Sequence, residues 1–153
     1  QRRFDAVIAP KPRKFAHPDV TERPLYELQP QVYARKGHPW VRAQSLAQLQ
    51  GAAWACVGPS VSGPVDVLTE AHRVRRMPAP KMSVRCPDFA SLLHLVAQSD
   101  LLAVVPHPAL LGGASALVAP LRLAESLPLY GMWLFEPRGR KSRLGPEVFA
   151  PVG

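Results

Sequence analysis

The stretch from Trp54-Ala55-Cys56-Val57 through Met82-Ser83-Val84-Arg85-Cys86 to Leu101-Leu102-Ala103-Val104-Val105-Pro106 alternates extended and helical patterns, and its reading decides the fold. Ala53 to Val57 is short and apolar, as a buried strand requires. Ser60-Val61-Ser62-Gly63-Pro64 supplies turn and cap chemistry, with Pro64 suited to a first helical turn. The helix that follows, over roughly 64–76, places Val67, Leu68, Ala71 and Val74 at helical spacing. Asp66 and Glu70 come early in it, and Arg73, Arg75 and Arg76 late, which matches the helix dipole. Met77-Pro78-Ala79-Pro80 ends the helix, and Met82 to Cys86 is the next strand. Asp88 then caps a helix with Phe89, Leu92, Leu93 and Val96 at i, i+3, i+4 and i+7. Leu101 to Val105 is a continuous apolar strand closed by Pro106. Strand–helix–strand–helix–strand in so short a span predicts right-handed crossovers and a parallel sheet.

Outward from this unit the pattern loosens. Phe4-Asp5-Ala6-Val7-Ile8-Ala9 is an apolar run ended by Pro10, which suits a buried strand. Leu25-Tyr26-Glu27-Leu28 and Gln31-Val32-Tyr33-Ala34 form a second extended stretch, broken by Arg35-Lys36-Gly37-His38-Pro39. Ser45 caps a helix of one or two turns that has Leu46 and Leu49 on one face and stops at Gly51. Beyond the unit, Pro108 to Ala116 reads as a short helix broken by Gly112-Gly113. Leu117 to Leu123 looks extended, and Tyr130 to Glu136 is an aromatic-rich strand. Leu144 to Phe149 begins a final helix, cut short by Pro151. No internal repeat or low-complexity tract appears.

With 153 residues, 47% hydrophobic and 20% charged, the chain can bury a core as one domain or two small lobes. The net charge of +8 raises nucleic acid as a partner. Its distribution argues otherwise. The excess sits mainly in Lys11-Pro12-Arg13-Lys14 and Arg138-Gly139-Arg140-Lys141-Ser142-Arg143, loops without interleaved aromatics for base stacking, and solvated loop charge is the simpler account. No apolar run is long enough to span a membrane. The opening Gln1-Arg2-Arg3-Phe4, with neither initiator Met nor signal peptide, reads as the start of a fragment. Cys56 and Cys86 make neither a disulfide framework nor a zinc site and fit a reducing cytoplasm. Cys56 lies in an apolar run as an inert thiol. Cys86, beside Pro87, packs or touches a ligand.

In open α/β sheets ligands gather at the carboxyl ends of strands, where helix starts present free backbone N–H groups. Three places qualify: Ala9-Pro10-Lys11, Pro59-Ser60-Val61-Ser62 and Cys86-Pro87-Asp88-Phe89. The bland alternative is plain N-capping by Ser60, Ser62 or Asp88, and core packing for Phe89. Enzyme signatures are missing. Gly113-Ala114-Ser115-Ala116-Leu117 lacks the second glycine of a nucleophile elbow, and neither a Walker loop nor a dinucleotide fingerprint occurs. The histidines His17, His38, His72, His94 and His107 share no metal-ligand spacing, so no metal and no cofactor are expected. No nucleophile–base pair can be nominated.

Several segments together resemble one family. Phe4-Asp5-Ala6-Val7-Ile8 looks like the strand ending the first part of the effector-binding domain of LysR-type transcriptional regulators. Leu25-Tyr26-Glu27, then Ala34-Arg35-Lys36-Gly37-His38-Pro39-Trp40 and Ser45-Leu46-Ala47-Gln48-Leu49, resemble that family's L-x-E, R-x-G-H-P-L and S-L-x-x-L run. Val84 to Phe89 with Leu95 to Pro106 is similar to its second signature, and Leu121-Arg122-Leu123 with Leu127-Pro128 to its return segment.

The resemblance implies an α/β, two-lobed, periplasmic-binding-protein-like (type II) fold with the first lobe incomplete. On it, residues 1–42 are the tail of lobe one with a crossover strand, 43–116 form lobe two, and 117–153 return to lobe one. It implies a sensor that binds a small-molecule effector between the lobes, with DNA reached only through an absent N-terminal winged helix-turn-helix. The whole would be a cytoplasmic homo-oligomer, a dimer or, at full length, a tetramer, without membrane contact. Carried over onto this sequence, the effector-facing positions are Pro10, Lys11, the hinge-proximal Arg35, Ser60, Val61, Ser62, Cys86, Asp88 and Phe89. Asp88 departs from the family, which often has a small hydroxyl residue there. A carboxylate at a helix start repels an anionic ligand, and Lys11 and Arg35 are the cations placed to offset it. The alternative is a solute-binding protein of a transport system, which would carry a secretory signal upstream of Gln1.

Overall fold

Strand β4 (Ala53–Val57), helix α1 (Pro64–Val74), strand β5 (Lys81–Cys86), helix α2 (Phe89–Ala97) and strand β6 (Ala103–Val105) follow one another as the periodicity predicts. The structure is a computed structural model, described over residues 6–10, 18–58 and 64–139. Ahead of this unit come β1 (Val7–Pro10), β2 (Val20–Leu28), β3 (Gln31–Arg35) and a 3-10 turn at Leu46–Leu49. After it come a 3-10 segment (Pro108–Ala116), β7 (Val118–Pro120) and β8 (Tyr130–Pro137). The helix expected over 144–149 lies outside the described residues.

The chain forms two compact units, Gln29–Leu129 and Gln1–Leu28 with Tyr130–Gly153. Within the first, β4 and β5 run parallel from Ala53↔Lys81 to Val57↔Cys86. Leu102 bridges in parallel to Trp54, with Ala55 N–H donating to Leu102 O at 2.8 Å and Leu102 N–H to Ala53 O at 3.0 Å. β6 then pairs antiparallel with β3, and β3 with β7. The strands therefore run in the order β5-β4-β6-β3-β7. The unit is wider than 43–116 at both ends because β3 sits between β6 and β7 and is held by both ladders.

Helices cover both faces of this sheet. Leu92, Leu93 and Val96 of α2, each at most 1% exposed, pack with Tyr33, Ala55, Cys86, Ala103, Val105 and Val118. Burial of each such side chain contributes about 1.5–3 kcal/mol. The alternate residues of the same strands, Val32, Ala34, Trp54, Cys56 and Val104, are buried too, and α1 packs on β4 and β6 with Val67, Leu68 and Ala71 inward. A strand buried on both sides reads as a continuous apolar run, which is why Ala53–Val57 and Leu101–Val105 show no alternation. β5, at the edge, does alternate: Ser83 and Arg85 are exposed, while Met82, Val84 and Cys86 point inward.

The second unit is an antiparallel sheet in the order β1-β8-β2. Pro10 and Pro24 fall on edge strands, where a missing N–H costs no ladder bond, and Pro137 is the last residue of the central β8. β1 is not the buried strand its composition predicts. Val7 and Ile8 are 45% and 39% exposed, because β1 pairs with β8 at the margin of a three-stranded sheet.

Candidate functional site

The parallel strands β4, β5 and β6 all end on one edge of the Gln29–Leu129 sheet. There the chain must turn into α1, α2 and the Pro108–Ala116 segment, and its backbone donors come free. Gly58 leaves β4 at φ +62. Its N–H donates to Cys86 O at 2.7 Å, and its carbonyl accepts from Arg85 Nη1 at 2.9 Å, so the ends of β4 and β5 are tied together. Residues 59–63 follow directly.

Asp88 caps α2 in an extended conformation, and its Oδ1 accepts the Ser91 N–H at 2.7 Å. That backbone donor, with the Ser91 hydroxyl, holds the Asp88 carboxyl below the ordinary carboxylate range. The side chain is exposed and ionised at neutral pH, so the positive end of α2 already has its counter-charge. Cys86, the last residue of β5, is buried, and burial, followed by the charges of Cys56 and Asp88, pushes its thiol up. It packs as an inert thiol. Phe89 is partly buried against the α2 core. At the end of β6, His107 Nδ1 accepts the Ala109 N–H at 3.0 Å, so the neutral ring carries its proton on Nε2.

Cys86, Asp88 and Phe89 thus come together at the carboxyl edge. Ser60, Val61, Ser62 and Lys11 lie outside the described residues. Pro10 ends β1 opposite Met132, in the antiparallel unit. Arg35 arrives elsewhere. It closes β3, which runs antiparallel to β6, so it reaches the edge where β4, β5 and β6 begin. There its Nη2 pairs with Asp100 Oδ1 at 2.7 Å and its Nε with the same oxygen at 2.9 Å. His38, 4% exposed, completes this amino edge. The Trp40 N–H donates to His38 Nδ1 at 2.9 Å, so Nε2 carries the proton and donates to Asp100 O at 2.8 Å. Among the described residues Arg85 is a cation near the carboxyl end of β5, its Nη1 donating to Gly58 O, and it is not among the positions expected from the sequence. The alternation in Lys81-Met82-Ser83-Val84-Arg85-Cys86 is the signal that exposes it.

The carboxyl edge offers hydrogen-bond donors and acceptors around a capped helix start, a binding chemistry. Among the described residues no three His, Cys, Asp or Glu side chains gather as metal ligands, and no helix is long and apolar enough to cross a membrane.

Comparison with known proteins places this arrangement. The structure is similar to that of a probable transcriptional regulator from Pseudomonas aeruginosa, at 21% identity over 90% of this chain and 45% of that one, with a TM-score of 0.68. It is similar to the effector binding domain of QuiR in complex with shikimate, at 16% identity over 95% of this chain and 68% of that one, TM-score 0.74. The Synechocystis CcmR regulatory domain in complex with 2-PG gives 16%, 95%, 69% and 0.73 in the same order. The chain therefore spans less than half the length of the first of these structures and somewhat over two thirds of the other two. Residues 1–149 match the family described as the LysR substrate binding domain. With its motifs, its helix-covered mixed sheet and this match in agreement, the chain belongs to the LysR substrate binding domain family and has that family's α/β, type II periplasmic-binding-protein-like fold.

Proposed function

We propose that this chain is the effector-sensing domain of a LysR-family transcriptional regulator, and that its effector docks at the carboxyl edge of the Gln29–Leu129 sheet. The observation that carries this reading is the convergence of the ends of β4, β5 and β6 on the Asp88-capped start of α2. In this reading Cys86, Asp88 and Phe89 are the described part of the site, and Pro10, Lys11, Ser60, Val61 and Ser62 are further effector contacts proposed from the family resemblance. Effector binding biases a cytoplasmic homo-oligomer between repressing and activating arrangements, and DNA is reached through a winged helix-turn-helix that precedes this domain in the full regulator. Ligand sensing is supported by the shikimate and 2-PG complexes of two structural relatives.

The charge at the site narrows the ligand. Shikimate is a carboxylate, whereas here Asp88 holds the helix start and its Oδ1 is taken by Ser91. The ligand atom that meets Asp88 is then a donor, a hydroxyl or an ammonium, accepted by Oδ2. Any carboxylate on the ligand lies away from Asp88. The test is a thermal-shift screen of small metabolites followed by calorimetry on the best binder. Asp88→Asn and Ser60→Ala are expected to change its affinity several-fold. Unchanged affinity in both variants would remove the ligand from this edge.

A further inference from the structure

We infer that the Gln29–Leu129 unit holds a second small-molecule site, apart from the start of α2, built for a carboxylate that also carries a hydroxyl. The place is a cleft of about 460 Å³ between the segments Gln29–Val32 and Pro120–Leu127. Its floor is apolar and rigid: Pro30, Val32, Leu121 and Leu127 are all buried. Two bonds hold the walls at a fixed separation. Gln29 Nε2 donates to Leu127 O at 2.9 Å, and the Leu121 N–H donates to Val32 O at 2.8 Å. The cleft is therefore preformed by main-chain and side-chain ties within one unit.

Its rim has the chemistry of a ligand site. Gln31, Arg122 and Ser126 line the cleft and are exposed, and Arg122 makes no ion pair with any described residue. The contrast with Arg35, paired with Asp100, is direct. Glu125 lines the same cleft, and its Oε1 accepts the Leu46 N–H at 3.0 Å, which leaves Oε2 as an acceptor. A bare anion would meet Arg122 but also this carboxylate. A hydroxy acid satisfies both, its carboxylate on the guanidinium and its hydroxyl donating to Glu125, with Gln31 and Ser126 completing the hydrogen bonds. An apolar floor with a few convergent polar groups is the usual composition of a small-molecule pocket. This inference does not depend on where the effector binds at the α2 edge.

The experiment uses the isotope-labelled full chain and L-malate as the probe, followed by NMR. Saturable shifts are expected in the side-chain amides of Gln29 and Gln31 and in the backbone of Arg122 to Ser126. Arg122→Gln is expected to weaken malate roughly tenfold or more, the loss of one charge-assisted bidentate contact. Arg122→Lys should restore part of that affinity, since an ammonium keeps the charge without the fork. Arg42→Gln, an equal charge change on an exposed residue outside the cleft, should leave it unaltered. Succinate, lacking the hydroxyl, and malamide, lacking the charge, should each bind more weakly than malate. The proposal is overturned if no Gln31 shift saturates up to the solubility of malate. It is equally overturned if the shifts fall on Asp88 to Ser91 instead, or if Arg122→Gln binds malate as well as the unaltered chain.

Discussion

The two edges of the Gln29–Leu129 sheet carry similar polar residues and use them in opposite ways. At the amino edge Arg35, His38, Trp40 and Asp100 satisfy one another through four short contacts. A concavity of about 360 Å³ lies there, beside His38, Trp40 and Asp100, whose Oδ1 and main-chain carbonyl are both bonded within the fold. At the carboxyl edge Asp88 and His107 each accept one backbone N–H and keep a second polar atom for something else. The difference teaches how to sort such residues. A cation whose fork is filled by a neighbouring carboxylate holds strands in place, and one with open valences is available to a ligand.

The comparison is most exposed to test at His38. His38→Ala empties a buried position and removes the partner of the part-buried Trp40 N–H and Asp100 carbonyl, and should destabilise the chain by about 1–3 kcal/mol in urea denaturation. Effector affinity should stay as it was. Asp100→Asn comes next. The Arg35–Asp100 pair is half-exposed, with side chains 31% and 65% accessible, so its loss should cost no more than about 1 kcal/mol. If this variant or Arg35→Gln weakens a confirmed effector tenfold, the division between the two edges is broken, and Arg35 belongs to the binding site after all.

At the other edge, Asp88→Asn should raise the affinity of simple carboxylates roughly two- to fivefold, because the helix start regains its free positive end. Titration calorimetry with acetate or benzoate measures this. No change would mean that anions never approach α2. The smallest effect concerns pH. The Asp88 carboxyl titrates lower in the folded chain than in the unfolded one, so its contribution is fully present above the ordinary carboxylate range. That contribution is lost as the pH falls through the lowered folded value. The stability gap between the unaltered chain and Asp88→Ala should therefore shrink with acidification, as thermal melts at stepped pH would show. A gap independent of pH would mean that the cap acts without its charge.

Much of this was legible in the residues themselves. The four-residue apolar spacing of α2, the Asp88 cap, and the Ser45 cap with Gly51 at φ +87 all appear where short-range chemistry puts them. The family's motifs supplied the fold class, which the sheet and the family match bear out. Other features had no local signature. His38 looks from its neighbours Gly37 and Pro39 like part of an exposed turn, yet its ring is buried and bonded at both nitrogens. The 108–116 segment breaks at Gly112, φ +51 and ψ −132, as its glycine pair predicts, but that its turns are 3-10 rather than α-helical was not visible. Val7 and Ile8 read as core because apolarity was visible while the number of strands beside them was not.

Returning to Trp54–Pro106, the sequence by itself determined the order of strands and helices, which helix face turns inward, and where each helix begins. These depend on spacing, caps and prolines within a few residues of one another. Only the tertiary structure decided which of those positions meet. β6 lies beside β4 rather than β5, and β3 enters antiparallel between β6 and β7. Strand direction carried Arg35 to the amino edge and into Asp100, and put Arg85 at the carboxyl end of β5, on the Gly58 carbonyl. Pairing across such distances along the chain depends on the burial of the whole sheet, and no short window of sequence contains that information.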